Sequence, residues 1–204
     1  MTPEEILQQI AQEVAVCTRC PLHHSRKNPV PGEGPADADI MLIGEGPGFH
    51  ENEQGRPFVG ASGKFLEQLL AGIGLKREDV FIANVVKCRP PGNRDPQPEE
   101  LAACAPYLDR QIEAINPKVI VTLGRFSMAK FIPNARISRI HGQPHRVNGH
   151  LIVPMFHPAA ALHQPRWRPL IEQDFARLPE LIAAVEKERL AAEPPPEPRQ
   201  LSLF

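Results

Sequence analysis

Four short, nearly unbroken apolar runs set the architecture of this chain. They occupy residues 39–43 (Asp39-Ile40-Met41-Leu42-Ile43), 80–86, 118–123 and 151–156. Alternating runs mark strands with one wet face, whereas continuous ones mark strands covered on both faces, as in a parallel sheet. Pro154 has no N–H for a ladder, which assigns the last run to an edge or a bulge. Between the runs the apolar period becomes helical. Phe65, Leu66, Leu69, Leu70 and Ile73 recur at helix spacing, opened by Ser62 and closed by Gly72 and Gly74. Pro98-Glu99-Glu100 is a favourable first turn for a helix over 98–115. Ile6, Ile10 and Val14 mark an N-terminal helix, and Leu170, Phe175, Leu178, Leu181, Ile182 and Val185 a C-terminal one. This alternation predicts an α/β fold with three α/β/α layers and a central four-stranded parallel sheet.

The cysteines fall into two pairs. Cys17 and Cys20 form a CxxC, and Cys88 and Cys104 follow much later; no fifth cysteine exists. The N-terminus is acidic and unlike a signal peptide, and no apolar run approaches the ~20 residues that span a bilayer. The expected setting is therefore cytoplasmic and reducing, where such a set binds metal rather than forming disulfides. Thiolates without a histidine at matching spacing suit zinc or an iron–sulfur cluster. At 204 residues the chain reads as one domain over 1–190, large enough for its own core, followed by a tail over 191–204.

Net charge is −1, but it is unevenly spread. Residues 114–171 contain no Asp or Glu, yet hold Lys118, Arg125, Lys130, Arg136, Arg139, Arg146, Arg166, Arg168 and five histidines. A basic flank on a neutral protein attracts a phosphate backbone locally.

Ligands of open parallel sheets collect beyond the carboxyl ends of the strands. Four segments converge there. The first run is followed by Gly44-Glu45-Gly46-Pro47-Gly48, and Gly55-Arg56-Pro57-Phe58-Val59-Gly60 lies in the next connection. Asn84 ends the second run ahead of Lys87-Cys88-Arg89-Pro90-Pro91, Gly124-Arg125 follows the third, and His157-Pro158-Ala159 the fourth. A phenylalanine in a Gly/Pro-rich loop either packs the loop down or offers a face to a base. A carboxamide in an apolar run needs partners; it donates to a carbonyl and accepts from an N–H, the order uracil presents at O4 and N3 and cytosine reverses.

Together these motifs, in order over residues 16–162 and with the cysteines in register, resemble family 4 uracil-DNA glycosylase, the iron–sulfur type. The resemblance implies the glycosylase fold and one [4Fe-4S] cluster on Cys17, Cys20, Cys88 and Cys104, with zinc as the alternative metal. It implies a uracil pocket of Glu45, Gly46, Pro47, Phe58, Asn84 and His157, in which His157 and Glu45 are catalytic. It implies hydrolysis of the N-glycosidic bond without strand cleavage, in base excision repair. Arg56, Lys87, Arg89, Arg94, Leu162 and Arg166 are the expected DNA contacts, Leu162 as a wedge in the duplex. The chain departs from related families at Gly46, where an aspartate orients water, which leaves Glu45 and Glu51 as the available bases. Asn52 stands where an aspartate is common. The alternative on the same fold is a non-catalytic or cross-linking uracil-DNA binder, marked by a basic insertion after the second strand. Here that region reads Gly92-Asn93-Arg94-Asp95-Pro96-Gln97-Pro98, without the insertion.

Past Pro194-Pro195-Pro196, the residues Gln200-Leu201-Ser202-Leu203-Phe204 resemble the peptide by which bacterial repair proteins dock on the sliding clamp. Gln200 is the polar anchor, and Leu201, Leu203 and Phe204 suit an apolar groove. The expected partners are uracil-containing DNA and that clamp, with the protein itself a monomer and nucleoid-associated.

Overall fold

In the computed structural model, which describes residues 1–192, the four apolar runs lie side by side as strands. Strand β1 is Ile40–Gly44, β2 is Phe81–Asn84 and β3 is Val119–Leu123; every residue in them is buried. A short β4, His145–Val147, precedes β5, His150–Met155. The order is β2-β1-β3-β5-β4, with only the β4–β5 pairing antiparallel.

The sheet thus has five strands rather than four. Strand β4 turns into β5 through Asn148-Gly149, both with positive φ (48° and 83°). Two left-handed residues match the twist of a tight hairpin, and Asn-Gly is the pair that adopts them most readily. His145-Arg146-Val147 is too short and polar to register as an apolar run. Strand β4 pairs only with His150, Leu151 and Ile152, so Pro154 lies past its end, where no neighbour asks for an N–H.

The strands divide their side chains between two layers. Leu42, Val121 and Val153 face one way, against Leu66 and Leu70 of α3 (Ala61–Gly72) and Phe175 of a C-terminal helix. Met41, Ile43, Ile120 and Ile152 face the other, against Leu108, Ile112 and Ile115 of α4 (Pro98–Ile115). That period of two, buried on both sides, is why the runs read as continuous. Helix α1 (Pro3–Ala15) starts at a Thr2–Glu5 capping box and packs on α4 through Ile10, Val14 and Tyr107. Helix α2 is Phe49–Gln54; α5 (Arg125–Phe131) and α6 (Ile137–Ile140) follow β3. Helix α7 is Pro158–His163, and the predicted C-terminal helix divides into α8 (Arg168–Ala176) and α9 (Leu178–Ala192). The clamp-peptide residues Gln200, Leu201, Leu203 and Phe204 lie outside the described residues.

From β1 the chain moves to β2 on one side and then to β3 on the other. That reversal opens a crevice at the carboxyl ends, where Gly44 and Asn84 end their strands and Gly124 and His157 follow theirs.

A candidate active site and a four-cysteine cavity

A cleft of about 560 Å³ fills the crevice, and Glu45, Gly46, Pro47, Phe58, Asn84 and His157 all line it. These are the residues expected to form the pocket. Glu51, Ser62, Asn93, Arg94, Asp95 and His163 line it as well.

Asn84 is opposite Gly44 in the β1–β2 register and only 2% exposed. Its Oδ1 is buried and has no hydrogen-bond partner among the described residues. An unpaired buried acceptor costs about 1–3 kcal/mol. Thr122 Oγ1 and His145 Nε2 are also unpaired among the described residues, but of the three only Asn84 lines the cleft, where a ligand can fill it. Gly44 makes room for it. A Cβ there would sit 2.5 Å from Asn84 Oδ1 and 2.7 Å from the Phe58 ring.

Phe58 is held in an uncommon conformation, φ 50°, and is 4% exposed. Both sides of its loop are tied. Arg77 Nη1 donates to the Phe58 carbonyl at 2.7 Å, and Nη2 donates to the Pro57 carbonyl. Arg77 is itself fixed by Glu33, Nε to Oε1 at 2.7 Å. On the far side, Glu51 Oε1 accepts from the Val59 and Gly60 N–H groups at 2.9 and 3.0 Å. Glu51, one of the two expected bases, is thus engaged as a loop clamp. Arg77 carried no signal in the sequence, because nothing local links it to a loop twenty residues earlier.

His157 stacks on Phe58, ring centroids 5.4 Å apart and planes 24° apart. It also caps α7, its Nδ1 accepting from the Ala159 N–H at 3.1 Å. A ring that accepts at Nδ1 carries its proton on Nε2. Burial pushes its pKa down to about 4, with Glu51 opposing, so the ring is neutral at pH 7. The expected catalytic imidazole is therefore a neutral N–H donor.

Burial raises the Glu45 pKa, as does nearby Asp95, with Arg125 opposing. Glu45 makes no side-chain hydrogen bond among the described residues and remains available. Asn52 is structural: Oδ1 accepts from the Lys27 N–H at 2.9 Å, and its carbonyl accepts from Asn28 Nδ2 at 3.0 Å.

The expected DNA contacts separate. Lys87 is corrected: it is 1% exposed, and Nζ donates to Gln111 Oε1 at 2.7 Å, so it reaches no phosphate. Two hydrogen bonds engage Arg56 with Glu33 and Arg94 with Glu100. Arg89 precedes cleft-lining Pro90, while Leu162 and Arg166 are exposed on either side of cleft-lining His163 in the chain. The acid-free stretch is less basic in space than in sequence. Lys118, Arg125, Lys130, Arg146 and Arg168 each meet an Asp or Glu from outside it.

All four cysteines line one small cavity between α1, the loop after β2, and α4. Arg26 Nη1 donates to Cys88 Sγ and the Lys87 N–H to Cys104 Sγ, each at 3.2 Å. Burial raises the thiol pKa of Cys20 and Cys88, and that of Cys104 to about 11. Among the described residues no three His, Cys, Asp or Glu side chains converge as a site for one metal ion.

Comparison with known proteins agrees with this geometry. Residues 31–178 match the family model described as the uracil DNA glycosylase superfamily. The chain is 49% identical to a type-4 uracil-DNA glycosylase of Sulfurisphaera tokodaii, over 86% of this chain and 84% of that protein. It is 48% identical to that of Archaeoglobus fulgidus, over 87% and 94%. With that of Saccharolobus solfataricus it shares 47% identity, over 87% of each chain.

Proposed function

The chain belongs to the uracil DNA glycosylase superfamily, among the type-4 enzymes, and from that premise we propose how its cleft removes uracil from DNA. It is a DNA glycosylase, a hydrolase that starts base excision repair. The observation that carries the assignment of the pocket is the partnerless Asn84 Oδ1, buried beside Phe58 and Gly44.

The deaminated nucleotide turns out of the stack and enters the cleft, at a cost of ~a few kcal/mol that is smaller at a mismatch. Asn84 Oδ1 accepts from uracil N3–H while its Nδ2 donates to O4. Cytosine offers an unprotonated N3 and an amino group at those places, so two donors and two acceptors would oppose each other. Phe58 and His157 touch, so the base is not sandwiched between them. It packs on the part of the Phe58 ring that faces the cleft, with the imidazole at its edge.

Breaking the C1′–N1 bond leaves an electron-poor sugar and places negative charge on uracil, largely at O2 and O4. His157 donates Nε2–H toward O2 without carrying a charge, and backbone amides near Glu45 and Gly46 add to that stabilisation. Glu45 is the carboxylate left to orient water and take its proton, since Glu51 holds the Phe58 loop and Asp95 is paired with Arg125. The products are free uracil and an abasic site, with the strand intact. No lysine lines the cleft to form a Schiff base among the described residues.

The cysteine cavity fits a [4Fe-4S] cluster. Its donors are four thiols, with the Lys87 N–H and the Arg26 guanidinium aimed at sulfur. A single tetrahedral zinc is the other group that four thiolates hold, and the metal content of purified protein separates the two. Cys17 and Cys20 after α1 would hold the cluster together with Cys88 of the loop after β2 and Cys104 of α4, and that loop continues into Arg89 and Pro90 beside the cleft. The C-terminal peptide Gln200-Leu201-Ser202-Leu203-Phe204 is assigned to a sliding clamp on its composition, and the protein is assigned as a monomer.

Incubation with a uracil-containing oligonucleotide, followed by hot alkali, tests the reading. Free uracil and a broken strand are expected. A covalent protein–DNA band on denaturing gels, without free uracil, would replace the enzyme with a cross-linking binder.

A further inference from the structure

Among the described residues five large apolar side chains are exposed: Met1, Val16, Phe49, Leu162 and Leu190. Only Phe49 and Leu162 border the cleft. Phe49, 53% exposed, opens α2 directly after cleft-lining Gly48. Leu162 precedes cleft-lining His163 on the opposite lip. Leu162 is the expected duplex wedge. Phe49 has no expected role, and no motif pointed to it.

Its surroundings hold the ring at the surface. The Arg89 guanidinium lies over it, 5.4 Å from the centroid, and the His50 ring meets it edge-on at 5.4 Å. Arg89 is steadied in turn, its Nε donating to Asn93 Oδ1 at 2.8 Å. Asn93 and the neighbouring Pro90 line the cleft. Arg89 has no carboxylate partner among the described residues, whereas Arg56, Arg94 and Arg125 are all paired. The cleft mouth therefore carries a fixed aromatic ring beside a cation free for phosphate.

We propose that Phe49 is a stacking platform for the nucleobase next to the excised uracil, with Arg89 on the phosphate between them. The proposal rests on the uracil-excision reading above. An aromatic face accepts any base, so the platform adds affinity without sequence preference. In a duplex the neighbouring base stays tied to its complement and to the base beyond it when the uracil turns out. An unpaired base is free to swing out and lie on an exposed ring. The platform thus makes single-stranded uracil-DNA a substrate class that this chain favours.

The test compares wild type, Phe49→Ala and Phe49→Trp on short single-stranded oligonucleotides. The uracil is flanked by ordinary nucleotides or by abasic tetrahydrofuran residues, and a duplex with the ordinary sequence is run alongside. For wild type, kcat/KM should be about 5- to 100-fold higher with flanking bases than without, the range that stacking one base supplies. Phe49→Ala should bring that ratio close to one, mainly through KM, and Phe49→Trp should restore it. The loss on the duplex should be several-fold smaller. If Phe49→Ala keeps the wild-type ratio, or slows both single-stranded substrates equally, the platform is wrong. If wild type releases no uracil from any substrate, the glycosylase reading fails, and the platform with it.

Discussion

Gly44 and Asn84 are neighbours across the β1–β2 pairing, and the space a side chain would take at one is filled by the amide of the other. The same space borders the Phe58 ring. Gly44→Ala would therefore displace both the base reader and the stacking ring from their places. An error of about 1 Å in a catalytic constellation costs on the order of 10²-fold. We expect kcat/KM for uracil excision to fall by about that factor. Thermal denaturation should show a native-like fold, which separates this outcome from unfolding.

Asn84→Asp tests the reader itself. A carboxylate lacks the Nδ2 donor for uracil O4, and a protonated carboxyl no longer enforces one donor–acceptor order. Sites built around such a bond reject the wrong partner by large factors because a buried group is left unpaired. The ratio of uracil to cytosine excision should drop by ~10²-fold or more. A variant with full activity and full selectivity would remove Asn84 from the role.

His157 gives a pH dependence with a definite sign. Its folded pKa of about 4 lies below the ordinary histidine value, so the unfolded chain binds the proton more readily. The folding stability that His157 contributes is complete above about pH 6.5 and declines as pH falls toward 4. Protonation also removes the Nδ1 acceptor that caps α7. His157 should therefore impose no loss of activity from neutral pH to near 5, so an acid limb above that pH belongs to Glu45, whose carboxyl pKa is raised by burial. His157→Asn should flatten the corresponding part of a melting-temperature profile between pH 6.5 and 4. A melting-temperature profile that His157→Asn leaves unchanged over that range would mean that the ring is solvated in the folded protein and titrates as it does in the unfolded chain.

Glu51 separates a clamp from a base. Glu51→Gln keeps an oxygen for the Val59 and Gly60 N–H groups, whereas Glu51→Ala leaves both without an acceptor. Hydrogen bonds to a charged group contribute about 1.5–3 kcal/mol each, and a neutral acceptor keeps part of that. Single-turnover rates should fall several-fold or less in Glu51→Gln and at least ~30-fold in Glu51→Ala as Phe58 loosens. Equal and severe losses in both variants would make Glu51 the base and displace Glu45.

The sequence revealed the strands and the pocket for different reasons. The runs at 39–43 and 118–123 were legible because burial on both faces removes polar residues from a strand. Asn84 and His157 stood out because each interrupts or ends such a run with a polar group. Strand β4 was hidden, since an edge hairpin of three half-exposed residues leaves no apolar signature beyond Asn148-Gly149. Arg77 and Glu51 were hidden as positioning groups because their partners are backbone atoms, which leave no mark on the residues they belong to. Lys87 misled for the opposite reason. A lysine beside Cys88 and Arg89 in a proline-rich loop has the composition of a phosphate grip, and only the packing of α4 shows where it points.

Lys87 now carries a prediction opposite to that of a DNA contact. Each cation that neutralises a phosphate adds about 0.9 to the slope of log affinity against log salt on duplex DNA. Lys87→Met should leave that slope unchanged, because the ammonium is buried against Gln111. Arg89→Met should lower it by close to one. The effect of Lys87→Met should appear in the metal site, since its charge lies beside the cysteines. Removing it leaves Gln111 Oε1 without its donor, whereas Lys87→Met/Gln111→Leu removes that acceptor but also the bond from Gln111 Nε2 to the Pro31 carbonyl at 2.8 Å, so both variants are compared. Anaerobically purified wild-type protein should be brown and carry iron, and both variants should lose visible absorbance faster in air. A fall in the salt slope for Lys87→Met would return the lysine to the DNA surface. Colourless wild-type protein with one zinc per chain would overturn the cluster.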